Sequence, residues 1–224
     1  MTTLTFRNYI GLFLLSAVVL SMLCCPVIQA DCKTTSTIGQ RPSKWALQMK
    51  GTCNVPNFYK INDSLYRSAQ PTEVGMAQLK EIVGIKTIIN LRALHSDSDE
   101  IGSTGLLNER LHVKAWHIED EDVIKVMRDL SNREKGPFLI HCQHGSDRTG
   151  VMCAMYRILY QGWTKEEAID EMVNGGYGFH PLSNNIIKYI QEADIKKLKD
   201  AIPVLAKSDC AQQFNPTDPH SAGR

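Results

Sequence analysis

The sequence has almost no net charge. Its 224 residues include 25 Lys and Arg against 24 Asp and Glu, so the formal net charge at pH 7 is +1. A chain so balanced lacks the broad positive field with which proteins hold a nucleic-acid backbone. We therefore expect no nucleic-acid partner. Apolar residues make up 43% and charged residues 22% of the chain, which is ordinary for a globular protein, and one domain is the default for this length.

Metal-binding patterns and internal repeats are also missing. The seven histidines show no spacing typical of metal ligands, and no segment of the chain recurs elsewhere in it. We therefore expect neither a metal ion nor another cofactor.

Long hydrophobic runs are absent too, since none reaches the ~20 residues that a membrane-spanning helix needs. The main apolar run covers residues 10–23, follows Arg7 and leads to Ala30. A basic start, a short apolar core and a small residue at the cleavage point are typical of a signal peptide. We expect residues 1–30 to be removed and the protein to be exported, either periplasmic or secreted. Membrane contact is expected only if this segment stays uncleaved.

Export bears on the cysteines, because disulfides form in oxidising compartments. Removal of residues 1–30 leaves five cysteines, at positions 32, 53, 142, 153 and 210. An odd number indicates paired structural cysteines plus at least one free thiol. A Cys32–Cys53 disulfide is the first hypothesis, and the pairing among Cys32, Cys53 and Cys210 stays open.

The pattern of apolar residues divides the mature chain into three parts. Residues 31–55 are polar and form an N-terminal extension, and residues 206–224 lack a pattern and are expected to be disordered. Residues 56–205 alternate β-branched runs with helical patterns, which predicts an α/β fold with a mostly parallel central sheet flanked by helices. Strands are predicted at Phe58–Ile61, Leu65–Ser68, Lys86–Leu91, Leu111–Ile118 and Phe138–His141. Helices are predicted at Thr72–Val83, Val123–Leu130, Val151–Leu159, Thr164–Val173 and Asn184–Ile202.

One stretch, Phe138–Gly150, carries the chemistry. It predicts a buried strand, a tight polar loop and the start of a helix, where backbone N–H groups and the helix dipole favour an anion. Cys142 enters the loop and Arg148 leaves it. A thiol ionises more easily at a helix N-terminus beside a cation, and an arginine can bind two phosphate oxygens at once. The implied reaction is attack of the thiolate on phosphorus, followed by hydrolysis of a cysteinyl-phosphate.

The other loop residues have supporting roles in this scheme. Gly145 allows a sharp turn close to the ligand, Thr149 offers a hydroxyl to the leaving sulfur, and His141 tunes the thiolate through hydrogen bonds. The residues expected to bind phosphate are Gln143, His144, Gly145, Ser146, Asp147 and Arg148.

His141, Cys142, Arg148 and Thr149 match every fixed position of His-Cys-x5-Arg-(Ser/Thr), and the chain thereby resembles the cysteine-based protein tyrosine phosphatase superfamily. The block Leu65–Thr72 resembles the atypical dual-specificity phosphatases of bacteria, fungi and plants. The resemblance covers residues 56–190. It implies a phosphatase fold and hydrolysis of phosphotyrosine, with phosphoserine and phosphothreonine as further candidates.

The general acid departs from the family pattern. Much of the family uses an Asp on a mobile loop upstream of the nucleophile, where this chain has Asn108–His112 without an Asp. The candidates, in order, are Asp147 and Asp120, then Asp122, with His117 as a weak further one. Asp120 and Asp122 could instead cap a helix, and Asp147 could orient Arg148 through an ion pair.

Two further functions stay open. The Asp-Arg-Thr sequence at the loop exit resembles phosphoinositide phosphatases of the myotubularin and Sac types, so an inositol phosphate or phosphoinositide is an alternative substrate to a phosphorylated protein. A phosphate-binding module without catalysis is the alternative from another class. Three cations either line the pocket or form surface ion pairs, namely Arg67, Arg92 and Lys114.

Overall fold

The structure is a computed structural model that describes residues 41–51 and 54–202. The predicted signal peptide, the Cys32–Cys53 disulfide and the tail at 206–224 lie outside these ranges. Within them, Cys142 and Cys153 are free thiols. No helix in the described ranges is both long enough and apolar enough to cross a membrane.

Strand pairing confirms the mostly parallel sheet. The described residues form one six-stranded sheet in the order β1-β2-β3-β6-β4-β5. Strands β3, β6, β4 and β5 run parallel, and β1 and β2 add an antiparallel edge. The strands are β1 (Leu47–Gln48), β2 (Tyr59–Asn62), β3 (Leu65–Ser68), β4 (Thr87–Asn90), β5 (Leu107–Arg110) and β6 (Phe138–His141).

Several helices begin where the sequence supplies capping groups. The Thr72 hydroxyl accepts from the Gly75 N–H ahead of α1, and Thr164 and Glu167 form a reciprocal capping box at the start of α5. The described helices are α1 (Glu73–Gln78, continued by a π-helical turn over Leu79–Val83), α2 (Ser98–Ile101), α3 (Asp120–Ser131), α4 (Asp147–Gln161), α5 (Lys165–Asn174), α6 (Asn184–Glu192) and α7 (Ile195–Ala201).

The central strands are covered on both faces. Alternate side chains of β4 and β6 point to opposite sides, so Ile89 and Ile140 pack with the cluster that includes α3 to α7. Ile88 and Leu139 pack on the other side with residues of α1 and its π-helical turn. Strand β6 lies between β3 and β4 with all four residues buried, which is why its sequence is almost continuously apolar.

The predicted strand at Leu111–Ile118 is wrong. The fifth strand is Leu107–Arg110, and the following stretch is a loop with a single bridge between Lys114 and His117. Strand β5 is an edge strand whose residues are mostly exposed, so its polar sequence gives no alternating signal. The loop resembled a strand because Val113 and Ile118 are buried anchors beneath it.

The last predicted helix is divided. A single helix over Asn184–Ile202 becomes α6 and α7, which are separated at Ala193 and Asp194. The Asp194 carboxylate accepts from the Lys197 N–H and caps the start of α7. Ile82, an apolar residue within the first predicted helix, is exposed.

Residues preceding the predicted domain pack against the central sheet. Strand β1 pairs with β2, and Ala46 is buried. The Arg41 guanidinium donates to the Tyr177 hydroxyl at 2.7 Å and to the Gly175 carbonyl. The segment 41–48 therefore contacts the loop that follows α5.

A buried ion pair joins α4 and α5. The Arg157 guanidinium donates to the two carboxylate oxygens of Glu171 at 2.8 and 2.9 Å, and both side chains are almost fully buried. The Tyr177 hydroxyl also donates to Glu171, at 3.1 Å. Loss of one partner of such a pair leaves the other charge buried without compensation.

We expect Glu171→Gln to lower the free energy of unfolding by about 3 kcal/mol. Urea denaturation measures this loss. Asp200→Asn is the control, because Asp200 pairs with Lys196 on the exposed surface of α7 and should contribute little. Equal effects of the two substitutions would contradict a structural role for the buried pair.

Candidate active site

The loop that begins at Cys142 lies at the carboxyl edge of the parallel strands. His141 ends β6 and pairs in register with Ser68 of β3 and Asn90 of β4, so three strand ends meet there. The loop leads directly into α4, a 15-residue helix that begins at Asp147. Ligands of open α/β sheets gather at this edge, and a helix N-terminus there favours an anion.

Gly145 brings the loop into contact with the end of β3. It has φ of +72°, and a Cβ atom at this position would lie 2.5 Å from the Ser68 carbonyl oxygen and 2.6 Å from the Ala69 nitrogen. Its own N–H points at the Cys142 sulfur, at 3.3 Å. The glycine therefore meets both requirements of the turn, a left-handed conformation and the absence of a side chain.

Three successive loop carbonyls are held by groups outside the loop. The Gln143 carbonyl accepts from the Gln70 N–H at 3.3 Å. The His144 carbonyl accepts from the Asn57 amide at 2.9 Å, and the Gly145 carbonyl from the Arg67 guanidinium at 2.6 Å. In a planar trans peptide the N–H points opposite to the carbonyl. The N–H groups of His144, Gly145 and Ser146, which share these peptide planes, are thus turned toward the inside of the loop.

Arg148 is placed beside the loop without a carboxylate partner. Its guanidinium donates to the Leu91 carbonyl at 3.4 Å and is half-buried. Across residues 41–51 and 54–202, no Asp or Glu oxygen lies within 4.0 Å of it. Asp147 instead accepts from the His180 N–H at 3.0 Å, so the ion pair considered for Asp147 and Arg148 is not formed. Arg148 can thus bind an external anion.

His141 is fixed by a buried carboxylate that the sequence pattern did not reveal. Its Nε2 lies 2.8 Å from an Asp97 oxygen, and its Nδ1 lies 3.3 Å from the Cys142 carbonyl oxygen. Asp97 also accepts from the Gln70 amide at 2.9 Å. Burial raises the pKa of Asp97, but the hydrogen bond and charge of His141, together with Gln70, outweigh it and hold the pKa below its usual value. The supporting role predicted for His141 therefore has a physical basis in this pair.

The two free thiols lie in different surroundings. Cys142 is at the loop, with the Gly145 N–H directed at its sulfur. Complete burial raises the pKa of Cys153 to about 11, so this thiol stays protonated at neutral pH. The Thr149 hydroxyl is buried and, among the described residues, has no hydrogen-bond partner. Its predicted contact with the sulfur is not formed in this structure, and its role stays a prediction.

The two candidate acids on α3, Asp120 and Asp122, have pKa values shifted in opposite directions. A hydrogen bond from Lys197 at 2.8 Å lowers the pKa of Asp120, and the Tyr189 hydroxyl binds the same carboxylate at 3.1 Å. A carboxylate held in its charged form is a poor proton donor. Burial raises the pKa of Asp122, whose oxygen accepts weakly from the Glu119 N–H at 3.4 Å, as in a helix cap.

The other cations predicted near the site differ in burial and in their contacts. Arg67 is buried rather than at the surface, and it forms no ion pair with any residue that the structure describes. Arg92 donates to the Gln70 side chain at 2.8 Å. Lys114 is exposed. His117 is also exposed and lies 2.9 Å from Glu119, which does not favour it as an acid.

One group of side chains has atoms close enough to bind a metal ion. His95, Asp97 and Glu100 place one ligand atom each within 4.8 Å of one another. These atoms already contact each other, with His95 at 2.9 Å from Glu100 and 3.7 Å from Asp97, and Asp97 bound to His141. We therefore interpret the group as an extension of the His141 hydrogen-bond network.

The comparisons with known proteins agree with this geometry. Residues 53–200 match the model of the tyrosine phosphatase family. The dual specificity protein phosphatase TpbA of Pseudomonas aeruginosa is 33% identical over 176 residues, which are 78% of this chain and 77% of TpbA. The inositol diphosphatase DSP5 of Arabidopsis thaliana is 24% identical over 158 residues, 66% of this chain and 74% of the relative.

Solved structures give the same result. A crystal structure of P. aeruginosa TpbA superposes with a TM-score of 0.66 at 33% identity, over 72% of this chain and 98% of the other. A Cys-to-Ser variant of TpbA in complex with phosphotyrosine gives 0.65 over the same shares and at the same identity. The chain belongs to the tyrosine phosphatase family. It is a cysteine-dependent phosphatase, and the predicted family, fold class and enzyme class are confirmed.

We expect Gly145→Ala to abolish phosphatase activity, because the added Cβ collides with backbone at Ser68 and Ala69. Steady-state assay with an aryl phosphate measures the loss. Gly162→Ala is the matched control, since Gly162 also has positive φ, of +71°, but nothing lies within 4 Å of its added Cβ. It should cost about 1 kcal/mol in stability and leave the rate unchanged. A Gly145→Ala enzyme as active as this control would refute the proposed turn.

We expect Asp97→Asn to destabilise the protein at pH 7 by about 2 kcal/mol, because a buried hydrogen-bonded charge is lost. A lowered pKa means that the carboxylate stabilises the fold fully above its ordinary value of 3.8 and loses this effect as pH falls through the folded value. Urea denaturation from pH 7 to pH 3 should therefore show the two proteins converging at the acid end.

Asp63→Asn is the control for this titration. Hydrogen bonding to Lys60 also lowers the pKa of Asp63, but this carboxylate is exposed and screened by solvent. Its removal should change stability little at any pH. A difference between wild type and Asp97→Asn that stays constant down to pH 3 would contradict the assignment of the charge to Asp97.

Proposed function

We propose that this phosphatase hydrolyses phosphate monoesters of proteins, phosphotyrosine first, through a cysteinyl-phosphate on Cys142. The observation that carries the proposal is the set of three outward carbonyls at residues 143–145, which turns N–H groups toward the space beside the Cys142 sulfur. The relative TpbA, a dual specificity protein phosphatase with a structure in complex with phosphotyrosine, supports the substrate class.

The proposed reaction has two displacements at phosphorus. The loop N–H groups and Arg148 bind the phosphoryl oxygens, and the Cys142 thiolate attacks phosphorus while the ester P–O bond breaks. The leaving oxygen takes a proton from the general acid. Water then attacks phosphorus and gives its proton to the same carboxylate, which releases phosphate and restores the thiolate. The Thr149 hydroxyl is proposed to stabilise the departing sulfur.

Asp147 is our choice for the general acid. It lies at the first turn of α4, next to Arg148, and is half-buried. One of its oxygens accepts from the His180 N–H, which leaves the other for the leaving group. Asp120 is disfavoured because Lys197 and Tyr189 hold its carboxylate. Asp122 is the second choice, since burial raises its pKa.

Inositol phosphates are the second candidate substrate. A cavity of about 230 Å³ opens beyond the end of β5, near the carboxyl edge of the sheet. Its lining includes three basic side chains, which suit a second phosphate group, and one carboxylate. The inositol diphosphatase DSP5 among the relatives supports this alternative. The lining residues are Arg110, Leu111, His112, Val113, Asp122 and Lys125.

We also propose that the protein is exported, on the strength of the apolar run at residues 10–23 and the small residue Ala30. The identity of the N-terminal residue of the mature protein, determined by Edman degradation, tests this directly. A protein that starts at Asp31 supports export, and one that retains Met1 contradicts it.

We expect Cys142→Ser to abolish hydrolysis of an aryl phosphate, while a catalytically silent phosphate-binding module would show no activity even as wild type.

Asp147→Asn should slow hydrolysis of an alkyl phosphate by about 100-fold and of a nitrophenyl phosphate far less, because a good leaving group needs little protonation. The comparison of kcat for the two substrates measures this difference. Asp120→Asn is the control and should affect both substrates equally.

A panel of phosphotyrosine peptides and inositol phosphates then decides between the two substrate classes. The proposal requires the larger kcat/KM for the peptides. A preference for inositol phosphates of tenfold or more would reverse it. In that case Lys125→Ala should lower kcat/KM for the inositol phosphates alone.

A further inference from the structure

Arg67 is buried directly behind the phosphate-binding loop. It lies on β3, in register with Ile140 of β6, and only 2% of its surface is exposed. Within residues 41–51 and 54–202, its guanidinium forms a single hydrogen bond, from Nη2 to the Gly145 carbonyl at 2.6 Å. Its Nε is buried and has no partner among the described residues. A fully buried arginine normally has a carboxylate partner, because an isolated charge is costly to bury.

An aromatic ring takes the place of that carboxylate. The Arg67 guanidinium lies 3.6 Å above the centroid of the Tyr177 ring, close enough for a strong cation–π contact. Burial raises the pKa of the Tyr177 phenol, so the ring is neutral. The contact fixes the position of the guanidinium without cancelling its charge.

The surrounding network contains more positive than negative charge. Arg41 reaches Tyr177, its guanidinium 5.2 Å from the ring centroid, and Arg157 pairs with Glu171. Among the described residues in contact around Tyr177, three guanidinium groups thus face the single carboxylate of Glu171. Of these guanidinium groups, Arg67 contacts the loop, at the Gly145 carbonyl, so an anion held by the loop would compensate its charge.

The Arg67 hydrogen bond also has a geometric effect. It fixes the direction of the Gly145 carbonyl, and the peptide plane then directs the Ser146 N–H to the opposite side. That side is the interior of the loop, where the Cys142 sulfur lies and accepts a hydrogen bond from the Gly145 N–H. Arg67 can therefore act on the phosphoryl group without touching it.

We propose that Arg67 is a positioning residue of the phosphatase reaction. It orients the Ser146 N–H toward the phosphoryl group and supplies a buried positive charge whose counter-ion is the Cys142 thiolate or the bound phosphate. The inference rests on the proposed role of Cys142. It predicts that Arg67 affects anion affinity and rate together, beyond any effect on folding.

Two substitutions separate charge from geometry. Arg67→Gln keeps a donor but removes the charge, and we expect it to lower kcat/KM for an aryl phosphate by about 30-fold and to weaken vanadate inhibition to a similar extent. Arg67→Lys keeps the charge but loses the planar stack on Tyr177, and should recover part of both losses. Arg157→Lys is the control, since it disturbs the same buried network without reaching the loop. It should lower the Tm and leave kcat/KM within about twofold of wild type.

Vanadate binding is measured without turnover, by its effect on Tm, so it reports on Arg67 even if the aryl phosphate is not hydrolysed. Failure of the wild-type protein to hydrolyse any phosphate ester would refute the proposed function. The Arg67 inference is tested by a different result, the vanadate affinity and kcat/KM of the Arg67 variants. A folded Arg67→Gln protein with vanadate affinity and kcat/KM within twofold of wild type overturns it. Should both Arg67 variants unfold, Tyr177→Leu removes the ring that fixes the guanidinium. Unchanged vanadate affinity in that variant would overturn the inference equally.

Discussion

The contact of Gly145 with the end of β3 is the constraint on which the site depends. The loop turns back against Ser68 and Ala69 with no space for a side chain, and it does so at a positive φ that side-chain-bearing residues rarely adopt. This contact fixes how far the loop can extend from the sheet. The position of the Cys142 sulfur and the direction of the N–H groups both follow from it.

The sheet supplies the rest of the geometry. Strand β6 is central, and the carbonyl anchors of the loop all come from the β3 side of it: Arg67 from β3, Gln70 after β3, and Asn57 before β2. Asp97, from the loop after β4, holds His141. The anion site is therefore assembled before any ligand arrives, which lowers the free energy needed to organise it in the reaction.

Much of this arrangement could be predicted from local sequence. The apolar strand, the glycine and the Cys-x5-Arg spacing specify the loop, since they are contiguous in the chain. Asp97 could not be found in this way, and Arg67 was expected only as a cation of the pocket or the surface, because the burial of both depends on strands that are far apart in sequence. The same limit applies to Asp120, whose pairing with Lys197 of α7 disfavours it as the general acid. The error at Leu111–Ile118 arose because buried anchors of a loop imitate a strand, whereas the true edge strand, Leu107–Arg110, is polar.

The central claim is that phosphate passes through the sulfur of Cys142. Rapid mixing of the enzyme with a nitrophenyl phosphate, quenching within one turnover, and peptide mass spectrometry test it most directly. The account predicts a phosphoryl group on the peptide residue Cys142, none on the protonated thiol Cys153, and no adduct in Cys142→Ser. Turnover without an adduct on Cys142, or an adduct on another residue, would contradict it.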